Sequence, residues 1–169
     1  LRCPDVRSLA AAPAPEVMGL WSGLGYYSRA RNLHACAQIV VERHAGEFPR
    51  SAEELKTLPG IGPSTAAAIS SLCFGERVAI MDGNVKRVLT RVMGFDQDLA
   101  KGANERQLWA LAQEQLPASS DPREVARHMP VYTQGMMDLG ATVCLARQPL
   151  CGECPLREVC VARSEERPM

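Results

Sequence analysis

Four of the chain's seven cysteines fall in one short stretch, "CLARQPLCGECPLREVC", where Cys144, Cys151, Cys154 and Cys160 take the spacing C-x6-C-x2-C-x5-C. Thiols grouped this closely point to metal ligation, because disulfides are disfavoured in a reducing compartment and four exposed free thiols are an oxidation hazard. Zinc ribbons present two separate C-x2-C knuckles and this stretch has one. A single loop restrained by Pro149 and Pro155, wrapping four thiolates about one centre, fits a [4Fe–4S] cube better than zinc. Cys3, Cys36 and Cys73 stand apart from the group and read as small apolar residues.

Three further stretches offer chemistry. In "IMDGNVKRVLTRV" the carboxylate of Asp82 can stabilise or trap the positive charge left on a sugar when a glycosidic bond breaks, with Asn84 close by. The same Asp82 at a helix entrance is also a good N-cap, and one residue can do both. Lys86, Arg87 and Arg91 follow as a cationic cluster able to face phosphates. In "LPGIGPSTA", Leu58, Gly60 and Gly62 form a tight turn before a helix that carries Pro63, Ser64 and Thr65 in its first turn. Amides at such a helix end suit a phosphate oxygen, although an ordinary turn between two helices has the same look. In "GLGYYSRARNL", glycines precede paired tyrosines with Arg29 and Arg31 one turn later, a wedge able to enter a base stack while the arginines hold phosphate; the competing reading makes both tyrosines core residues.

The elements that must position these residues are helical nearly throughout. "APEVMGLWSGL" and "RARNLHACAQIVVERH" carry apolar residues at three- and four-residue intervals, with Gly23 and Gly25 between them. Ser51 and Glu54 make a capping box before "SAEELKTL", and "PSTAAAISSLCFG" is an Ala-rich helix led by Pro63. "NVKRVLTRVMGF", "NERQLWALAQEQL" and "VYTQGMMDLGATVC" supply three more, and alternating strand patterns are almost absent. The expected class is all-α with an irregular Cys-rich tail. "PASSDPR" is the most loop-like stretch, which suggests a helical domain over 1–120 and a helix plus cluster loop over 121–169. His34, His44 and His128 share no ligand spacing and are expected at the surface or at helix ends.

Lys plus Arg and Asp plus Glu are equal at 19 each, so global charge announces no nucleic-acid partner and any such case rests on local patches. No apolar run reaches the roughly 18 residues of a membrane span, and the opening "LRCPDVRSLAAAPAP" has no signal pattern. A cytoplasmic location is expected, nucleoid-associated if the source is bacterial.

Taken in order, "GLGYYSRARNL", "LPGIGPSTA", "DGNVKRVL", "QGMMDLGATVC" and the cysteine loop resemble the helix–hairpin–helix DNA glycosylase superfamily and, within it, the MutY-type adenine glycosylases. The resemblance implies an all-α helix–hairpin–helix glycosylase fold with a C-terminal iron–sulfur loop, and a [4Fe–4S] cofactor on Cys144, Cys151, Cys154 and Cys160. It implies that Asp82 and Asn84 are catalytic. It also implies that Tyr26, Arg29, Arg31, Leu58, Gly60, Gly62, Ser64, Thr65 and Lys86 meet DNA, with Phe74 near the base pocket.

Bifunctional members carry a lysine where this chain has Ser64, so a monofunctional enzyme using water is expected. The implied partner is double-stranded DNA with an adenine opposite 8-oxoguanine or guanine, bound by a monomer. The family's adenine-protonating glutamate precedes the tyrosine segment and falls upstream of Leu1, so the chain reads as an internal fragment that is inactive without its N-terminal part. A pyrimidine-lesion glycosylase of the endonuclease III branch and a non-catalytic DNA-binding iron–sulfur module are the alternatives. Arg147 and Arg157, inside the cysteine loop, are expected to add a second contact to the DNA backbone.

Overall fold

The computed structural model describes residues 2–166. The elements in order are α1 (Val6–Ala11), α2 (Ala14–Leu20), α3 (Tyr27–His44), α4 (Ala52–Leu55), α5 (Pro63–Phe74), α6 (Gly83–Met93), α7 (Gly102–Glu114), α8 (Pro122–Asp138), a π-helical turn (Leu139–Val143) and α9 (Val161–Ser164). Among the described residues there is no strand, so the all-α expectation holds. No helix among them is long and apolar enough to cross a membrane. The chain divides into two compact units, Leu1–Ala66 and Ala67–Met169, with the division inside α5.

In the first unit α1 and α2 pack on α3. Asp5 opens α1 by accepting from the Ser8 backbone N–H, while the Ser8 hydroxyl accepts from the Asp5 N–H. Hydrogen bonds to the carboxyl group from Ser8, its backbone N–H first and its side chain next, hold Asp5 below the usual carboxylate range. α3 buries Ala30, His34, Cys36, Ala37 and Val40, which keeps Ala37 and Val40 of the apolar pattern read from the sequence but leaves its Leu33 exposed. His34 is thereby a correction: it lies inside the helix packing, and its Nε2 has no partner among the described residues. Ser51 caps α4 by accepting from the Glu54 N–H, and its hydroxyl donates to the Glu54 carboxylate at 2.7 Å.

The second unit is built around α6, whose Val85, Val88 and Leu89 are buried and which packs against α7, α8, the π turn and α9. Leu108 and Ala112 of α7 and Met129 of α8 complete the centre of this core. α8 starts at Pro122, so the "VYTQGMMD" helix begins within the "PASSDPR" stretch, well upstream of where its pattern suggested. Pro130 lies inside α8 and, lacking an N–H, cannot bond back to the Ala126 carbonyl. Gly75 lies against that same carbonyl, and a Cβ there would come within 2.5 Å of the Ala126 oxygen. Ser71 and Thr133, both fully buried, share a hydroxyl–hydroxyl bond of 2.6 Å that ties the end of α5 to α8. The 117–123 segment lies inside this unit, between two helices that both pack on α6, which is why it makes no boundary of compactness.

The stretch between α5 and α6 is extended and delivers Asp82. Gln113 of α7 grips it like a neighbouring strand, its Oε1 accepting from the Ala79 N–H at 3.0 Å and its Nε2 donating to the Arg77 carbonyl at 3.2 Å. Arg77 in turn donates to the Pro117 carbonyl, and Ala79, Ile80 and Met81 are buried just before the aspartate.

Candidate active site and metal centre

The hairpin of the first unit is a turn with its chemistry in the backbone. Leu58 to Ile61 is closed by an Ile61 N–H bond to the Leu58 carbonyl at 3.2 Å, with Pro59 second and Gly60, at φ +77, third, the arrangement of a type II turn. A Cβ on Gly60 would fall 2.7 Å from Asn32 Cβ of α3, so glycine is required by contact as well as by dihedral. Leu58, expected to meet DNA, is 3 % exposed; its side chain anchors the turn and only its backbone is near the surface function. Gly62 and Thr65 are exposed and Ser64 is half-buried, and α5 aims the amides of its opening turn, those of Ser64 and Thr65, out of the helix end.

The loop before α3 presents Tyr26. Gly23 and Gly25 have φ of 87 and 70, and Tyr26 itself has φ 49, so the chain takes a left-handed course into the helix. The Trp21 indole N–H donates to the Gly25 carbonyl at 2.9 Å and closes this loop. Tyr26 is 78 % exposed, which rules out the core reading, and the Arg29 guanidinium lies 5.5 Å from its ring centre. Arg31 is exposed, as is Leu24, a residue that sequence reasoning did not single out. Phe74 is exposed at the end of α5.

In the second unit Asp82 is the N-cap of α6 and half-buried, its Oδ1 accepting from the Val85 N–H at 2.7 Å. The cap bond uses Oδ1, and Oδ2 is not part of it. Asn84 Oδ1 accepts from Arg87 Nη2 at 2.9 Å, while Arg87 also donates through Nε to the Cys144 carbonyl at 2.8 Å and through Nη2 to the Gly140 carbonyl. Lys86 is held by Glu105 at 2.6 Å. The expected cationic cluster is therefore dispersed: Lys86 faces a carboxylate, and Arg87 and Arg91, one turn apart on the same helix face, turn toward carbonyls of the C-terminal segment. A helix reads its faces from all its neighbours, and these two arginines meet protein on the side expected to meet phosphate.

Cys144, Cys151, Cys154 and Cys160 line one hollow together with Val88, Val92, Leu139, Val143, Leu150 and Ala162. Among the described residues no group of three or more His, Cys, Asp or Glu converges closely enough to hold a single metal ion. Four thiols around one hollow, whose wall carries apolar side chains and Arg91, Arg157 and Arg163 but no carboxylate, suit a negatively charged cube of iron and sulfide better than one zinc ion. Of the remaining cysteines, Cys36 is buried and its thiol is pushed up in pKa by that burial, whereas Cys3 is half-buried and Cys73 exposed, so only Cys36 packs fully as the sequence suggested.

Residues 2–114 match the HhH-GPD superfamily of base excision DNA repair proteins. The chain belongs to that superfamily. Residues 144–160 match the iron–sulfur binding domain of endonuclease III, and the cofactor of this HhH-GPD chain is a [4Fe–4S] cluster. Among curated relatives, the adenine DNA glycosylase of Homo sapiens is 45% identical over 161 residues, which is 95% of this chain and 28% of that protein. The adenine DNA glycosylase of Buchnera aphidicola (subsp. Acyrthosiphon pisum) is 39% identical over 99% of this chain and 45% of its own length. The chain thus spans less than half the length of either relative. Among solved structures, a thermostable thymine-DNA glycosylase superposes with a TM-score of 0.80 at 26% identity, covering 97% of this chain and 72% of that one.

Proposed function

We propose that this chain acts as a monofunctional adenine DNA glycosylase, hydrolysing the N-glycosidic bond of an adenine mispaired with 8-oxoguanine or guanine in double-stranded DNA. The observation that carries the reading is Asp82, a half-buried carboxylate fixed at a helix N-terminus by one oxygen while the other stands outside the cap. Such a group can face the cation that forms on the sugar as the base departs. Ser64 supports hydrolysis by water: no amine stands at the hairpin position from which a Schiff base would lead to strand cleavage.

The rest of the chain supplies grip. Flipping a base from the stack costs a few kcal/mol. The amides at the start of α5 and the exposed Tyr26, Arg29 and Arg31 are the groups proposed to offset that cost by holding phosphate and filling the stack. Arg147 and Arg157 are exposed and extend the proposed contact to the cluster loop.

The test is a duplex with one adenine opposite 8-oxoguanine, incubated with the full-length holoprotein. Adenine release that yields a strand break only after alkali supports the proposal. Direct nicking would favour a bifunctional enzyme of the endonuclease III kind, and release of a pyrimidine instead would favour the activity named for the thymine-DNA glycosylase. Asp82→Asn keeps a good N-cap, so folding should be retained while release falls roughly a hundredfold or more. Binding to the same duplex should stay near wild type; an equal loss of binding and release would remove Asp82 from the chemistry.

A further inference from the structure

Arg91 is a buried cation held by backbone carbonyls and a thiol. The residue is 9 % exposed, and among the described residues no Asp or Glu lies within 4.0 Å of its guanidinium. Asp96 shares a hollow with it, yet the two form no ion pair among the described residues. Its donors all go to the start of the cysteine loop: Nη1 to the Leu145 carbonyl at 2.6 Å and to Cys144 Sγ at 3.3 Å, and Nη2 to the Ala146 carbonyl at 3.3 Å. Cys160 Sγ lies 3.6 Å from the Arg91 backbone oxygen, so the first and last cysteines of the loop both meet this one residue.

Neutral carbonyls satisfy hydrogen bonds but do not balance a charge, and an unbalanced charge away from water is strongly unfavourable. The group that balances it is the one the loop is built to hold. A cube of iron and sulfide carrying four thiolates has net negative charge, and accepting one electron increases it. We propose that Arg91 is the fixed counter-charge of the iron–sulfur cluster, raising its reduction potential and slowing its loss. A buried cation in contact with a ligating sulfur favours the more negative, reduced form, and an N–H donated to that sulfur acts in the same direction. Arg157 and Arg163 also line the hollow, but both are exposed and Arg157 is paired with Glu158, so solvent and that carboxylate screen them.

The inference rests on the iron–sulfur assignment of the loop, and the experiment separates the two. Full-length holoprotein is purified as wild type, Arg91→Met, Arg91→Lys and Arg157→Met. Iron and sulfide content, the visible absorbance of the cluster, its rate of decay in air and its reduction potential at an electrode are then measured. A wild type without iron and sulfide would sink the site itself. With the cluster present, Arg91→Met should shift the potential to more negative values than Arg157→Met and lose its absorbance faster. Arg91→Lys keeps the charge but loses the two-nitrogen fork, and should shift the potential by a smaller amount in the same direction. Should Arg91→Met fail to fold, Arg91→Gln, which keeps polar donors but carries no charge, decides in its place: a potential equal to wild type overturns the proposal. So does an Arg91→Met potential no lower than that of Arg157→Met.

Discussion

A single indole N–H closes the loop that presents Tyr26. The Trp21 bond to the Gly25 carbonyl closes over the left-handed backbone at Gly23 and Gly25; Tyr26, left-handed as well, follows at once and opens α3 without a side-chain cap. Trp21→Phe keeps most of the ring volume and removes the donor, at a cost of about 1 kcal/mol for the lost bond. The expected result is a several-fold weaker affinity for mispaired duplex with little change in melting temperature. Combining it with Tyr26→Ala should add no further loss, because both changes act through the same ring; full additivity would show that Trp21 acts elsewhere. Tyr26 was singled out through the resemblance carried by "GLGYYSRARNL"; the glycines and arginines beside it left the core reading open. Trp21 was not, since its task is a bond to backbone and leaves no partner residue to see. Arg87 and Arg91 were misread for the related reason that their acceptors are carbonyls fifty and more positions away.

Between α8 and the cysteine loop the helix widens by one residue, the Cys144 N–H bonding to the Leu139 carbonyl at 2.7 Å. That turn puts the Gly140 and Cys144 carbonyls where Arg87 reaches both, and brings Gly140 against the start of α6. A Cβ on Gly140 would lie 2.7 Å from Asn84 Cβ and 3.0 Å from the Asn84 carbonyl, so backbone must move. Gly140→Ala should therefore destabilise the protein by roughly 1–3 kcal/mol and displace the first turn of α6. Because Asp82 is the cap of that turn, base release should fall by more than the loss of folded protein explains; thermal melting and single-turnover rates read the two effects separately. Helices α3, α5, α6 and α7 were legible as apolar periods with recognisable ends. The π turn has no residue-type signature, and α8 was read too short because Pro130 resembles a stop, whereas Gly75 and the Ser71–Thr133 bond support the chain around it.

At the scale of the molecule, the cysteine loop is fastened to α6 at its two ends, near Cys144 and at Cys160, and left to local turns between them. Arg87 and Arg91 hold the carbonyls of Gly140, Cys144, Leu145 and Ala146. From Cys151 to Val159 the backbone bonds join residues two or three apart, as from Glu153 to Leu150, Arg157 to Cys154 and Val159 to Leu156. Turns of that kind carry little stability of their own, so the cluster is what binds this part of the loop into the second unit. Removing iron with a chelator should speed amide exchange across 151–159 while leaving the segment 144–146 and the interior of α6 close to their holoprotein rates. Exchange in α1 and α3, whose packing is complete within the first unit, should not change. A rise spread evenly over both units would mean that the cluster supports the whole fold, and no rise in 151–159 would mean that the loop is already ordered by its own turns.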